Sequence, residues 1–455
     1  MTHILTILSL IVAYFLYKSP CPEGYEFMYL HSLVFAIGFE TSPLLRKHML
    51  SRVSIAVLLI VGFFRYVITP FVFMLGGFPR LWIYDVASLQ TGMILMCYEE
   101  VVFFLIIIIC GTRLIKNSNT NTLIPIRGYS SNLFSLAVIV AAIAIILLFP
   151  QIYLRYHFTF GLVGDEYELL DKTGKSSFLT LLGFVTNAAR YILILIVMSI
   201  CLKRYRKNTN FIYIVIPLLI VLINSMVIYD ISRFSILVPA ITLGYLLYQL
   251  FPSHRKIVLR LCFFLGLLLL YISTDVKMFS EARGGNEGSD DITAWASILQ
   301  AYFMGYRDVG LGVYVAEQIK DDGLMFFLND VGSNVMVVSR YTQPQLSILH
   351  IYNEVYSGGV SMDKIPPNIC ASYAYFGFFL SPLITAFFTR LAIWFDERGQ
   401  YSKHVEFKFL YIYSALMCSF VMMQFYTMII STLVNTIFVL YLFFMMNRLF
   451  AGKKE

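Results

Sequence analysis

The chain has 455 residues, of which 59% are hydrophobic and only 13% are charged. Soluble globular domains carry about a quarter charged residues, so the composition excludes a soluble protein. The net charge of +7 then points to membrane topology rather than to nucleic acid.

Apolar runs near the length of a bilayer-spanning helix recur along the whole chain. They predict twelve spans, at residues 3–17, 27–43, 53–76, 89–111, 132–150, 178–202, 210–229, 233–251, 257–273, 370–392, 407–425 and 428–447. The first run has no basic stretch before it and reads as a retained helix rather than a cleavable leader. Basic residues gather at alternate joints. Arg46, Lys47 and Arg52 follow span two, and Arg113, Lys116 and Arg127 follow span four. Lys203, Arg204, Arg206 and Lys207 follow span six, and Arg255, Lys256 and Arg260 follow span eight. Arg390, Arg398, Lys403 and Lys408 come at or after the end of span ten, and Arg448, Lys453 and Lys454 follow span twelve. The positive-inside rule makes these joints cytoplasmic. The expected fold is therefore an all-α polytopic membrane protein with about twelve transmembrane helices. It forms a single transmembrane domain over residues 1–455 with both termini in the cytoplasm. A small loop at 151–177 and a large one at 274–369 face the other side.

The large loop carries six basic residues (Lys277, Arg283, Arg307, Lys320, Arg340, Lys364) against twelve acidic ones. Its bulk field does not attract polyanions, so any bound anion must be held by individual arginines. Residues 294–315 and 324–338 are apolar enough to form short interfacial helices. The loop is rich in aromatics: Trp295, Tyr302, Phe303, Tyr306, Tyr314, Tyr341, Tyr352 and Tyr356. These rings suit sugar faces and equally suit the aromatic belt of a bilayer interface.

Several chemistries lack their motifs. Lys172-Thr173-Gly174-Lys175-Ser176 has Leu169 where a phosphate loop needs its first glycine. Asp290-Asp291 and Asp321-Asp322 are adjacent pairs, which do not face each other on a helix and read as solvated charge. The seven cysteines show no metal-ligand spacing, and only Cys21 and Cys370 would share an oxidising compartment. No metal and no cofactor is expected.

Ionisable residues within spans are costly and so become candidates. Arg65 lies mid-span and would pair with Glu99 or Glu100. Arg190 lies near the middle of span six. Arg233 opens span eight one turn after Asp230, which would hold its guanidinium; the alternative is an arginine snorkelling to headgroups. His350 is the lone histidine of the large loop and has the ordinary pKa of a general base. Glu354, one turn on, would orient it or act in its place.

Two stretches carry a family resemblance. Ile231-Ser232-Arg233-Phe234-Ser235 places small residues and an arginine at the outer start of a mid-chain helix. Pro366-Pro367-Asn368 leaves the large loop and leads to Tyr375-Phe376-Gly377. With the span count and the single large outer loop, the chain resembles the bacterial oligosaccharide repeat-unit polymerases of O-antigen, common-antigen and capsule assembly. The resemblance implies a metal-independent glycosyltransferase in the bacterial cytoplasmic membrane. It would move a glycan from undecaprenyl pyrophosphate onto the next lipid-linked repeat. Membrane lipids and a chain-length regulator protein would be partners. His350, Glu354 and Arg233 would be catalytic, and Arg190, Arg233, Arg283, Arg307 and Arg340 would bind pyrophosphate. Some members carry Arg-x10-Gly in two outer loops. Here Arg155, Arg283, Arg307 and Arg340 lack that glycine, and the Arg233–Gly244 spacing runs into span eight. A polysaccharide ligase and a flippase or exporter of the same lipid-linked sugars are the competing expectations. The exporter does not call for one large outer loop and favours duplicated halves, and no internal repeat stands out.

A reporter fused at Ser289 is expected to score extracytoplasmic. A cytoplasmic score there would overturn the charge-derived topology.

Overall fold

The computed structural model describes residues 2–42, 46, 52–78, 85–118, 126–149, 152, 156–158, 177–229, 233–262, 264, 291–336, 338–357 and 364–451. In chain order the helices are α1 (Thr2–Lys18), α2 (Met28–Thr41), α3 (Val53–Leu75), α4 (Val86–Ser118) and α5 (Leu133–Leu148). They continue as α6 (Ser177–Lys207), α7 (Ile212–Met226) and α8 (Arg233–Leu250). The large loop holds α9 (Asp291–Phe303), α10 (Tyr306–Ile319), α11 (Gly323–Ser333) and α12 (Ile348–Ser357). The chain closes with α13 (Asn368–Leu380), α14 (Leu383–Tyr401), α15 (Val405–Ser419) and α16 (Tyr426–Ala451). One short antiparallel ladder, β1 (Tyr156–Phe158) with β2 (Val227–Tyr229), interrupts this all-α fold.

Among the described residues, four helices are long and apolar enough to cross a membrane: α3, α4, α6 (counted as Phe178–Lys207) and α16. A fifth arises if α13 and α14 count as one span. Four further apolar helices, in α1, α5, α7 and α8, are shorter. Large apolar side chains lie on the surface, and some charged ones lie within the core. Leu133, Leu147 and Leu148 are 82%, 76% and 72% exposed, whereas Arg65, Glu99 and Glu100 are at 0%. Outward leucine and inward charge suit a chain whose outer surface meets lipid.

The predicted span at 370–392 is instead two helices bent by 101°. Gly377 takes φ +75 and ψ −175, a conformation that a Cβ disfavours. Pro382 at the junction has no N–H to continue the helix. Apolar content alone does not register such a break. Of the predicted span at 257–273, only residues 257–262 and 264 lie among those described.

The described contacts divide the chain into two compact units. Unit 1 holds residues 1–121, 286–397 and 415–435; unit 2 holds 122–285, 398–414 and 436–455.

In unit 1, α2 buries Met28, His31, Ser32, Phe35, Ala36 and Phe39, a helical stripe along one face. α4 matches it with Leu89, Met93, Met96, Glu100, Phe103 and Ile107. α3 contains a π-helical turn over Phe64–Ile68, which buries Arg65, Tyr66 and Val67 in succession. π turns are frequent at functional places. α10 is a packed helix rather than an exposed one. Val309, Leu311, Val313, Val315 and Ala316 are all buried, and the helix packs between α4 and α13. A Cβ at Gly312 would lie 2.8 Å from Cys370, so only glycine admits α13 this close. The connection from α15 to α16 is buried and clamped. Asn368 Nδ2 donates to the carbonyls of Val421 (2.5 Å) and Gln424 (2.8 Å), and its Oδ1 accepts from the Tyr426 amide (2.9 Å).

In unit 2, Asn132 and Ser135 form a reciprocal cap at the start of α5. Lys408 is 3% exposed and donates to Gln249 Oε1 (2.9 Å) and to the Gly399 carbonyl (2.7 Å) near the end of α14.

Candidate functional site

Polar side chains gather at several places among the described residues of unit 1. One cluster is built on Arg65 and Glu99. Arg65 Nη2 donates to Glu99 Oε2 at 2.9 Å, and Nη1 donates to the Met422 carbonyl at 3.1 Å. Tyr66 donates to Glu99 Oε2 at 3.2 Å and Thr385 donates to Oε1 at 2.5 Å. Glu100, the next residue on α4, approaches His31 Nδ1 of α2 at 3.7 Å, and both side chains are fully buried. Tyr306, at the first turn of α10, packs its ring 5.4 Å from that of His31.

The second cluster begins one residue later. Arg307 Nη2 donates to the Tyr356 hydroxyl at 3.3 Å, and its Nε lies 3.7 Å from Asp308 Oδ1. Arg307 and Lys364 both lie over the Tyr356 ring, at 5.9 and 5.6 Å from its centroid. Asn353 sets the place of Lys364: its Nδ2 donates to the Lys364 carbonyl (2.9 Å) and its Oδ1 accepts from the Lys364 amide (3.0 Å). The Tyr352 hydroxyl donates to the Asp308 carbonyl at 3.4 Å. Burial pushes the Asp308 carboxyl above the ordinary aspartate range, and the charges of Arg307 and Lys364 oppose that rise. Burial also raises Tyr25 to about 12, again against the pull of Arg307.

A third polar contact ties the loop to the helices. Asp330 Oδ2 accepts from Tyr375 at 2.5 Å and from the Ile348 amide at 3.3 Å. Burial raises its carboxyl too.

Of the residues singled out in the sequence, Arg307 enters the basic–aromatic cluster. His350 is half-buried and Glu354 exposed. They share one face of α12, while Tyr352 and Tyr356, two positions on, share the opposite face. The structure therefore does not bring the His350–Glu354 pair to Arg307. Arg340 is exposed on the short turn Ser339–Tyr341. Arg190 belongs to unit 2, where its Nε donates to Asn224 Oδ1 (2.5 Å) and its Nη2 to the Asn224 carbonyl (2.6 Å). Arg233 opens α8, but its side chain, together with all of Asp230, Arg155 and Arg283, lies outside the described residues. Cys21 is exposed and Cys370 buried, and both are free thiols.

Sequence reasoning missed Lys364, Asp308, Asn353 and His31. The signal for His31 was present, since it is an ionisable residue within a predicted span. The signal for Lys364 was not, because its position depends on Asn353 eleven residues away. Among the described residues, no group of three His, Cys, Asp or Glu side chains is arranged to hold a metal ion.

No family model matches the chain, and neither a curated protein nor a solved structure matches it.

Asp308 gives a pH prediction. Its carboxyl holds a proton more tightly in the folded protein than in the unfolded chain. The stability it contributes is thus complete below the ordinary aspartate value of 3.8 and is lost as pH rises through the higher folded value. Asp308→Asn does not titrate and is expected to flatten that part of the decline in Tm with pH. An unchanged profile would contradict the burial-driven shift.

Proposed function

We propose that the chain polymerises oligosaccharide repeat units carried on undecaprenyl pyrophosphate, at the outer face of a bacterial cytoplasmic membrane. The observation that most supports this reading is the placement of Arg307 and Lys364 over Tyr356 within the large loop. A guanidinium fork matches phosphate oxygens bidentately, and an ammonium adds a second positive charge. Both cations would stabilise the charge that develops on a departing pyrophosphate.

The reaction joins two lipid-linked glycans. An acceptor hydroxyl attacks the anomeric carbon of the donor glycan, and the bond from that carbon to the pyrophosphate oxygen breaks. The hydroxyl proton passes to a base. His350 and Glu354 remain candidates for that role from the other face of α12. Asp308 joins them, because it lies beside the cations and its carboxyl has raised proton affinity. Arg233, Arg190, Arg283 and Arg340 remain candidate contacts for lipid-linked donor or acceptor. The reading takes twelve spans with both termini cytoplasmic. The alternation of basic joints supports this, and it sets the large loop outside, where there is no nucleotide sugar.

An exporter of the same lipid-linked sugars is the second reading. It is favoured by the His31–Glu100 pair inside unit 1, since carriers place ionisable pairs along their pathways. A ligase would use the same donor with a different acceptor.

The test is incubation of the purified protein in lipid with an undecaprenyl-pyrophosphate-linked repeat unit. A ladder of longer glycans is expected. Arg307→Lys is expected to keep its expression and lose the ladder, because lysine has no fork. A normal ladder from that variant would remove Arg307 from the site. Transbilayer movement without a new glycosidic bond would instead establish the exporter.

A further inference from the structure

In the pair His31–Glu100 every side-chain polar atom is orphaned, whereas Arg65 and Glu99 hydrogen-bond each other. Among the described residues, neither nitrogen of His31 and neither carboxylate oxygen of Glu100 makes a hydrogen bond. The Tyr306 hydroxyl and Arg65 Nε are in the same condition. His31, Arg65 and Glu100 are at 0% exposure and Tyr306 at 1%. These atoms come from four elements, α2, α3, α4 and α10; Glu100 and Tyr306 lie at the distances already given from His31, and Arg65 is within electrostatic reach of it. Buried polar atoms that find no partner are strongly disfavoured. Six of them in one place indicate something that the chain alone does not supply.

Charge counting says what that is. Arg65 directs Nη2 to Glu99 and Nη1 to the Met422 carbonyl, so its charge is matched by Glu99. An ionised Glu100 would then stand as an uncompensated buried negative charge beside a neutral imidazole. One added positive charge removes that cost. The titratable and charged groups within electrostatic reach are Glu99 and Cys97 on α4, Arg65 and Tyr66 on α3, Tyr306 on α10 and Cys370 on α13. None of these besides Arg65 is a cation. A hard metal cation would want several oxygen ligands, whereas two of the four orphaned atoms on the pair are imidazole nitrogens. An imidazole and a carboxylate 3.7 Å apart are too far for a direct hydrogen bond and near enough to share a proton through one water.

We propose that His31 and Glu100 form a buried single-proton site, with Tyr306 as a hydrogen-bonding partner. The proton is taken from and returned to the surrounding water, and no bond other than N–H or O–H is made or broken. The site stands independently of any glycosyl transfer.

The test uses the full chain in lipid nanodiscs. Infrared difference spectra between mildly acidic and mildly alkaline buffer are expected to show the carbonyl stretch of a protonated carboxyl. Glu100→Gln should lose that band, and His31→Gln should shift its titration midpoint. A band that is unchanged in Glu100→Gln, or no titrating band in the wild type, overturns the proposal. A second measurement needs no variant. A hydrophobic carbodiimide reacts with protonated carboxyls in apolar surroundings, so mass spectrometry should find Glu100 labelled, with labelling falling as pH rises. Labelling independent of pH overturns the proposal. So does a titration that moves when sodium replaces choline as the only salt cation, since that would mark a metal-ion site.

Discussion

Arg65 and Glu99 meet at 2.9 Å with both side chains fully buried. Taking two such charges out of water costs several kcal/mol per ion, and hydrogen bonds to both groups offset that cost, with Arg65 Nε alone left unbonded among the described residues. Those engagements organise unit 1. Glu99 accepts from Tyr66 on α3 and from Thr385 on α14, and Arg65 reaches the Met422 carbonyl in the turn between α15 and α16. Four parts of the chain that are distant in sequence are thereby tied to one ion pair. Asn368 adds a second tie to the same turn. Non-helical backbone deep in a membrane protein needs such partners, because hydrocarbon offers none.

From that pair the polar interior extends outward through α10. Three consecutive residues of this helix have three environments. Tyr306 lies against His31, Arg307 lies over Tyr356, and Asp308 is buried beside Arg307. A helix with its apolar face packed between α4 and α13 can hold such neighbours in fixed directions, which a surface helix on a lipid interface cannot. The large loop is therefore more than a cover. One of its helices is part of the packed interior, and this joins the buried ionisable groups to the basic–aromatic cluster within a single turn.

Much of this was legible in the sequence, and the rest has identifiable reasons for being hidden. Apolar runs located α3, α4, α6 and α16, because lipid-facing surface demands continuous hydrophobicity. The bend between α13 and α14 was not legible, since both arms are apolar and the break comes from the backbone of Gly377 and from Pro382. The depth of α10 was hidden too, because amphipathic helices that lie on a membrane and those that pack inside a protein have the same pattern. The sequence left the partner of Arg65 open between Glu99 and Glu100; geometry gives it Glu99 and leaves Glu100 to His31. Arg307 stood among several loop arginines with nothing to separate it. What distinguishes it is Lys364, held nearby by Asn353, and that is a tertiary fact. His350 and Glu354 show the opposite case. Their spacing correctly places them on one helical face, but spacing cannot say what that face meets.

The central claim is that the Arg65–Glu99 pair acts as a unit on which unit 1 depends. A double-mutant cycle on unfolding, with Arg65→Met, Glu99→Gln and the double variant, measures this directly. Each single substitution is expected to cost about 3–5 kcal/mol, because it leaves its partner buried and unpaired. The double variant should cost much less than the sum. Strictly additive losses, or single variants as stable as the parent, would contradict the account.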